Sequence, residues 1–446
     1  MPQIDFPLVN RIDAFKDSFI MSENAIGVFN NYLTKLGGAY YFPFGGIKKG
    51  LVITDPHIIE HVLLTNYKNY KKSDIQNKKM GAFLGDGLLT SHGSYWLTQR
   101  RIIQEGFKKD KLKSYLQNMD SILDRRLNNI APTQLQDFDL ATFLTHVAFE
   151  MVMGSLFTHN LKEDELNQIT YTIITVQKYI LDQIIQPYLI PFTKISGVYS
   201  NLQRNRRNAD NILLKIIKNR KQSNVAANDM LDILLKARYD ETGEGMTEEQ
   251  ILMESMQLIV AGHETSATAL FWTFYLLTQH QDIYCKVKKE LDGCEEITTE
   301  SLMKLTYCVQ VIQEALRIYP PFWMIDREAI NDDYVSGYKI RKGTMLLIYI
   351  YGIHNNDKFW SQPDKFNPER FSSMNPKKET PFTYLPFGAG PKGCIGGNYA
   401  TIQMLIILKK MLSKFNISAN SKITSLEPLI MLKPKNKIYF TLTVSK

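Results

Sequence analysis

Cys394 sits in the stretch PFGAGPKGCIGG (Pro386–Gly397), surrounded by Gly388, Gly390, Gly393, Gly396 and Gly397. Glycine costs chain entropy on folding, so this density implies unusual turns or close backbone approach around one sulfur. A helical pattern, "NYATIQMLIILKKMLSKF", begins directly afterwards. At a helix N-terminus the dipole and the free N–H groups favour thiolate, and a thiolate is a strong ligand for haem iron. A second group lies in "AGHETS". There Ala261 and Gly262 are small enough for a flat ligand to lie against a helix, while Glu264 and Thr265 could open its ladder, hold water and pass protons. A glycine inside a helix costs about 1 kcal/mol relative to alanine, so Gly262 needs a reason. In "EALR", Glu314 and Arg317 stand one turn apart, and Arg370 of "NPERF" is a candidate third partner. In "WLTQR", the indole of Trp96 and the guanidinium of Arg100 share a helix face and could hold a pair of carboxylates. Each group alone also has a plain explanation: a buried thiol beside a turn, a tight helix crossing with Thr265 bonded back to a carbonyl, a surface ion pair, an anchored amphipathic helix.

The elements that must position these residues are mostly helical. Thr247 and Gln250 form a capping box, and the periodic pattern after them runs to about Gln279, placing "AGHETS" in the middle of a long helix. A second helix carries "EALR" and stops at "IYPP" (Ile318–Pro321). From Leu88 to about Ile217 apolar residues recur at helical spacing. Residues Gly38–Leu64 read as two short strands followed by a helix with Asp55 as N-cap and Pro56 in its first turn. Polar loops, "KQSNVAAND" and "YDETGEGMT", flank a short helix. "YKI" (Tyr338–Ile340) and "TMLLIYIYGI" (Thr344–Ile353) read as strands, and an irregular stretch rich in Pro, Asn and Lys leads to the cysteine loop. The fold class is mostly α with a minor β region. The expectation is one domain over 1–446, with a β-rich part within 1–64 and the cysteine loop and last helix within 338–446.

The 446 residues are 44% hydrophobic and 22% charged, ordinary for a soluble globular chain. Four cysteines without CxxC or zinc-type spacing argue against a disulfide framework or structural zinc. The apolar runs are too short to span a bilayer, and the N-terminus has no continuous apolar stretch, so no membrane anchor is expected. The net charge of +8 comes from scattered lysines with no nucleic-acid motif. A docking face for an acidic protein fits it equally well, with Lys108, Lys109 and Lys111 of "RRIIQEGFKKDKLK" as candidates.

Taken together, and in this order along the chain, "WLTQRR", "AGHETS", "EALR", "NPERF" and "FGAGPKGCIG" resemble the cytochrome P450 family of haem-thiolate monooxygenases. The resemblance implies that fold, with the long central helix over haem. It makes Cys394 the axial ligand, with Trp96, Arg100, Lys392 and Arg327 (from "WMIDRE") meeting the propionates and Phe387 packing on the sulfur side. Ala261 and Gly262 would lie over the other face, Glu264 and Thr265 would deliver protons to bound oxygen, and Glu314, Arg317 and Arg370 would form a buried structural triad. Lys392 departs from the Arg or His usual in the family and offers a point charge in place of a fork. Phe83, Leu84, Leu258, Ala261, Phe322, Trp323, Met324 and Met431 would wall the substrate site, with Trp323 as an aromatic platform carrying one donor. Such walls suit a lipid-like or terpenoid molecule, or a methylated sugar losing an O-methyl group. Implied with them are haem b, O2 as co-substrate, and NAD(P)H acting through a ferredoxin or flavodoxin with its reductase. The chain has no flavin or nucleotide fingerprint of its own. A soluble, cytoplasmic, bacterial-like member is expected. The alternatives are a peroxide-using or rearranging enzyme of the same fold and a non-enzymatic haem carrier or sensor.

Overall fold

The computed structural model describes residues 5–186, 188, 190, 193, 196–223, 226–372 and 381–445. Helix α1 (Arg11–Leu36) leads into β1 (Ala39–Phe44) and β2 (Lys48–Ile53), then α2 (Pro56–Glu60), β3 (Tyr70–Lys71) and α3 (Gly81–Leu84). The helical body follows: α4 (Gly93–Gln104), α5 (Lys109–Asn128), α6 (Leu140–Leu156), α7 (Glu163–Ile185), α8 (Val198–Ser223), α9 (Met230–Lys236), α10 (Glu248–Gln279), α11 (Gln281–Asp292), α12 (Thr299–Met303) and α13 (Thr306–Ile318). Next come β4 (Ile325–Ala329), β5 (Asp333–Val335), β6 (Tyr338–Ile340), β7 (Met345–Ile348) and α14 (Ile350–His354). The chain closes with α15 (Gly397–Lys414) and the hairpin strands β8 (Phe415–Ala419), β9 (Leu426–Pro428), β10 (Leu432–Pro434) and β11 (Phe440–Val444).

The main sheet has the order β1-β2-β7-β4-β3, antiparallel except where β2 and β7 run parallel. Helix α10 starts where its capping box places it: Gln250 N–H donates to Thr247 Oγ1, and Thr247 N–H donates to Gln250 Oε1 at 2.8 Å. It is buried on nearly every face, as expected of a helix hydrophobic all round. Asp55 caps α2 as its sequence position implies, accepting from His57 and Ile58 N–H.

Two features add to or differ from the sequence reading. Residues 1–64 do include a β-rich part at β1 and β2, but the region opens with the 26 residues of α1, which the sequence reading did not pick out. Its buried positions, Ala14, Ser18, Met21, Ala25 and Phe29, keep helical spacing. One of them is polar, and the dihedrals break at Asn24, so the stripe does not stand out in the sequence. In "TMLLIYIYGI" the strand ends at Ile348 and the apolar run continues as α14, because apolarity alone does not set the period. Residues 224–225 of the first polar loop and 373–380 of the irregular stretch lie outside the described residues.

Candidate active site

The cysteine loop is built by its glycines. Gly388 and Gly390 have φ of 66° and 67°, in the left-handed region that penalises a side chain. At Gly390 a Cβ would fall 1.9 Å from the carbonyl oxygen of Leu63, so the loop lies against that backbone. Gly393 N–H donates to Gly390 O at 3.0 Å, and Cys394 N–H donates to Phe387 O at 2.8 Å. Gly396 is the N-cap of α15, and its N–H favours the Cys394 thiolate. Cys394 remains solvent-accessible although ringed by protein. Burial pushes its thiol up, against the opposing pull of the Gly396 N–H and the Arg100 charge, so the helix terminus does not dominate as the sequence suggested. A metal would deprotonate the thiol outright. Phe387 packs beside Gly397.

Above this loop stand four cations with an unusual set of partners. Arg100 donates to Gly393 O at 2.7 Å, Lys392 to Tyr70 O at 2.5 Å, Arg327 to Asp326 O at 2.7 Å, and Lys72 to Leu88 O. All four contact backbone carbonyls, and among the described residues none has a carboxylate at ion-pair distance. The guanidinium of Arg100 and the ammonium of Lys392 each lie 5.9 Å from the buried Trp96 ring. Burial, then Arg327 and Lys392, push Lys72 down to about 7. Burial, then Arg327, push Lys392 down to about 8. Burial also lowers Arg327 and Arg100. Sequence reasoning missed Lys72. It stands next to Lys71, which pairs with Glu328 at 3.0 Å, and no spacing sets the two apart. A dianionic ligand would relieve this mutual repulsion, and a soft sulfur donor lies beneath it. The residues present therefore fit a haem with its two propionates.

On the other side, Ala261, Gly262 and Thr265 are only partly buried in an otherwise buried stretch of α10. Thr265 Oγ1 donates to Ala261 O at 2.7 Å, and the helix is continuous, so the opened ladder expected there is not formed. Gly262 serves the helix crossing: a Cβ there would fall 2.9 Å from Val152 Cγ2 of α6. Glu264 is held from two sides, by Lys433 Nζ of β10 at 2.5 Å and by Gln177 Nε2 of α7 at 2.7 Å. Burial would raise its carboxyl, but Lys433 and then His263 outweigh it and keep the group below the usual range.

The structure brings Glu314, Arg317 and Arg370 together. Arg317 forks onto Glu314 at 2.8 and 3.0 Å, and Arg370 Nε donates to Glu314 Oε1 at 2.9 Å. Of the candidate walls, Phe83 packs edge-on against Tyr179 and Tyr199, 5.8 and 5.9 Å between centroids, two aromatics the sequence reading did not single out. Leu84, Leu258 and Met431 are buried, Met324 is half-buried and Phe322 is exposed. Trp323 is not a platform. Its N–H donates to Leu429 O at 2.6 Å, and its ring packs in the core with Phe29 and Tyr349.

A lone cysteine at the N-terminus of a helix, with cations nearby that have no carboxylate at ion-pair distance among the described residues, is an arrangement that suits a haem-thiolate protein. A family model described as cytochrome P450 matches residues 18–442. The chain belongs to the cytochrome P450 family, which makes it an oxidoreductase of the monooxygenase class. Members use haem b, O2 and reducing equivalents that reach them from NAD(P)H through partners. It is similar to mouse "Cytochrome P450 4V2", 29% identical over 410 residues that cover 85% of this chain and 78% of that one. It is also similar to the Arabidopsis thaliana protein LUTEIN DEFICIENT 5, chloroplastic, 28% identical and covering 88% of this chain and 69% of that one. The crystal structure of the cytochrome P450DA heme domain superposes with a TM-score of 0.89 at 22% identity, covering 100% of this chain and 99% of the other. The two named relatives come from an animal and a plant, and they do not support the bacterial-like placement. No described helix is long and apolar enough to cross a membrane.

Proposed function

We propose that this enzyme inserts one oxygen atom of O2 into a C–H bond of a small apolar substrate, as hydroxylation or oxidative O-demethylation. When bound, haem supplies the oxidising chemistry, and the chain supplies ligand, orientation and protons. The observation that carries this reading is the Cys394 sulfur at the start of α15, favoured as thiolate by Gly396 N–H and Arg100, together with the Arg100, Lys392, Arg327 and Lys72 cations that have no carboxylate at ion-pair distance among the described residues. Thr265 fits a proton-handling role, because its hydroxyl proton is committed to Ala261 O while its oxygen lone pairs stay free to accept from water. Glu264, kept ionised next to it, is the base from which such water is ordered. Buried apolar side chains at Phe83, Leu84, Leu258 and Met431 favour a lipid-like or terpenoid molecule over a sugar, and the packing of Trp323 in the core removes the main argument for the sugar.

Electrons come, on this proposal, from a separate acidic protein of the ferredoxin or flavodoxin kind with its reductase, in a soluble cytoplasmic setting. The lysines first considered for docking have partners within the chain: Lys108 pairs with Glu105 at 2.5 Å, Lys109 with Glu300 at 3.9 Å, and Lys111 binds Asn228. Docking must therefore compete with these contacts, and its salt dependence will be shallower than the lysine count suggests. The test of the central claim is the carbon monoxide complex of the reduced protein. It should show the red-shifted Soret band of thiolate ligation and lose it in Cys394→His. Retention of that band in Cys394→Ala would make another cysteine the ligand.

A further inference from the structure

His354, the last residue of α14, is fully buried and lies between the Glu314–Arg317–Arg370 cluster and the cysteine loop. Arg317 Nη1 donates to the His354 carbonyl at 2.9 Å. On the other side, the N–H of Leu385 donates to His354 Nε2 at 2.7 Å. A ring nitrogen that accepts carries no proton, so the tautomer has its N–H on Nδ1. The carbonyls of Leu316 and Arg317 face the ring, although Nδ1 itself makes no hydrogen bond of good geometry. Burial first and Arg317 second push the imidazole down to about 3, so the ring is neutral at working pH. Stacking on Tyr384, with centroids 5.4 Å apart, fixes its plane, and Tyr384 Oη donates to Gln313 O of α13 at 2.9 Å. Leu385 is where the loop begins: its carbonyl accepts from Gly388 N–H at 3.1 Å, and two residues on, Phe387 O accepts from Cys394 N–H. The path from Glu314 through Arg317 and His354 to Leu385 is thus a chain of short, buried contacts that continues through the loop backbone to Cys394.

We propose that His354 is a positioning residue for the thiolate, a neutral acceptor that fixes Leu385 and through it the seating of the Cys394 sulfur. This rests on Cys394 being the haem ligand. Without the acceptor, the Leu385 N–H is a buried orphan, and the loop gains by shifting or admitting water. The test uses three variants of the haem-loaded enzyme. His354→Gln places a carbonyl oxygen near the position of Nε2. His354→Asn places one near Nδ1 instead, and His354→Leu places none.

Three readouts apply: the Soret position of the carbon monoxide complex over time, the haem reduction potential, and deuterium uptake of the peptide containing the Leu385 amide. The Gln variant should match the parent in all three. The Asn and Leu variants should lose the thiolate band and take up deuterium at Leu385 faster, each by roughly ten- to hundredfold, the effect expected of one unsatisfied buried amide. Equal behaviour of Gln and Leu, whether both intact or both impaired, would reduce His354 to a space-filling ring and overturn the proposal. A parent enzyme lacking the thiolate band would instead overturn the assignment of Cys394, on which this one depends.

Discussion

Two groups of wholly or partly buried charge connect to the cysteine loop, and their partners differ in kind. In the first, Glu314 and Arg317 are fully buried. Every guanidinium edge of Arg317 is engaged: Glu314 twice, His354 O at 2.9 Å and Pro363 O at 2.7 Å, with its central carbon 5.3 Å from the centroid of the Trp360 ring. In the second, among the described residues, Lys72, Arg100, Arg327 and Lys392 hydrogen-bond backbone carbonyls, and burial together with the neighbouring cations lowers Lys72 and Lys392. A buried charge with its counter-charge in the same chain belongs to the fold, and breaking it leaves an uncompensated ion. Buried like charges without one are costly unless something from outside completes them. The difference separates architecture from ligand site without reference to residue type, since arginine serves in both.

The contrast can be broken most severely at the triad. Glu314→Gln should strand two guanidinium groups and destabilise the protein by about 3–5 kcal/mol, measured by denaturant unfolding. A loss below about 1 kcal/mol would put this cluster in the same class as an ordinary exposed ion pair. The cation group should respond in the opposite sense. Lys72→Met or Lys392→Met should leave the haem-free protein unchanged or more stable by about 1 kcal/mol, while haem transfer to a scavenging globin becomes roughly tenfold faster.

The pH dependence follows from the same lysines. Their folded values, about 7 and about 8, lie below the unfolded value, so between these and about 10 the unfolded chain binds more protons than the folded one. Stability of the haem-free protein should therefore rise with pH across that window in thermal melts, and the methionine variants should flatten the rise. Equal slopes in parent and variants would mean that the lysines are solvated. The smallest effect concerns Glu264, whose folded value is depressed by Lys433. The stability it contributes is present above its unfolded value and is lost as pH falls through the folded one. Lys433→Met removes the largest influence opposing burial and leaves only His263 and Gln177 against it, so the carboxyl rises. The acid limb of coupled turnover, followed as product formed per NADPH consumed, should then move to higher pH with less than a tenfold change at its plateau.

Much of the helical body was legible because its signals are local. The capping box at Thr247 and Gln250 and the Asp55–Pro56 start are satisfied within a turn of where they stand. Glu314 and Arg317 were legible for the same reason, and Arg370 because its motif is short. What escaped depends on partners far away in the chain. Lys72 looks like Lys71 until Leu88, Arg327 and Lys392 surround it. His354 has no motif, because its contribution is one lone pair offered to a backbone amide 31 residues on. Trp323 looked like a platform because the sequence shows the indole donor and not the Leu429 carbonyl that takes it. Gly262 was noticed for the right cost and the wrong neighbour: what needs the space is Val152 on another helix.

The glycine that lies against Leu63 has a consequence in time. Gly390 comes near the end of the chain and the Leu63 carbonyl near its beginning, yet their backbones touch so closely that no side chain fits between them. Lys392 repeats the linkage by donating to Tyr70 O. Contacts this distant in sequence close late and cost the most loop entropy, so the loop cannot take its final shape on a partly synthesised chain. Loading of the prosthetic group at this loop therefore waits until the chain has been made past Gly390 and Lys392. Chains truncated anywhere before α15 should leave the ribosome unable to acquire it.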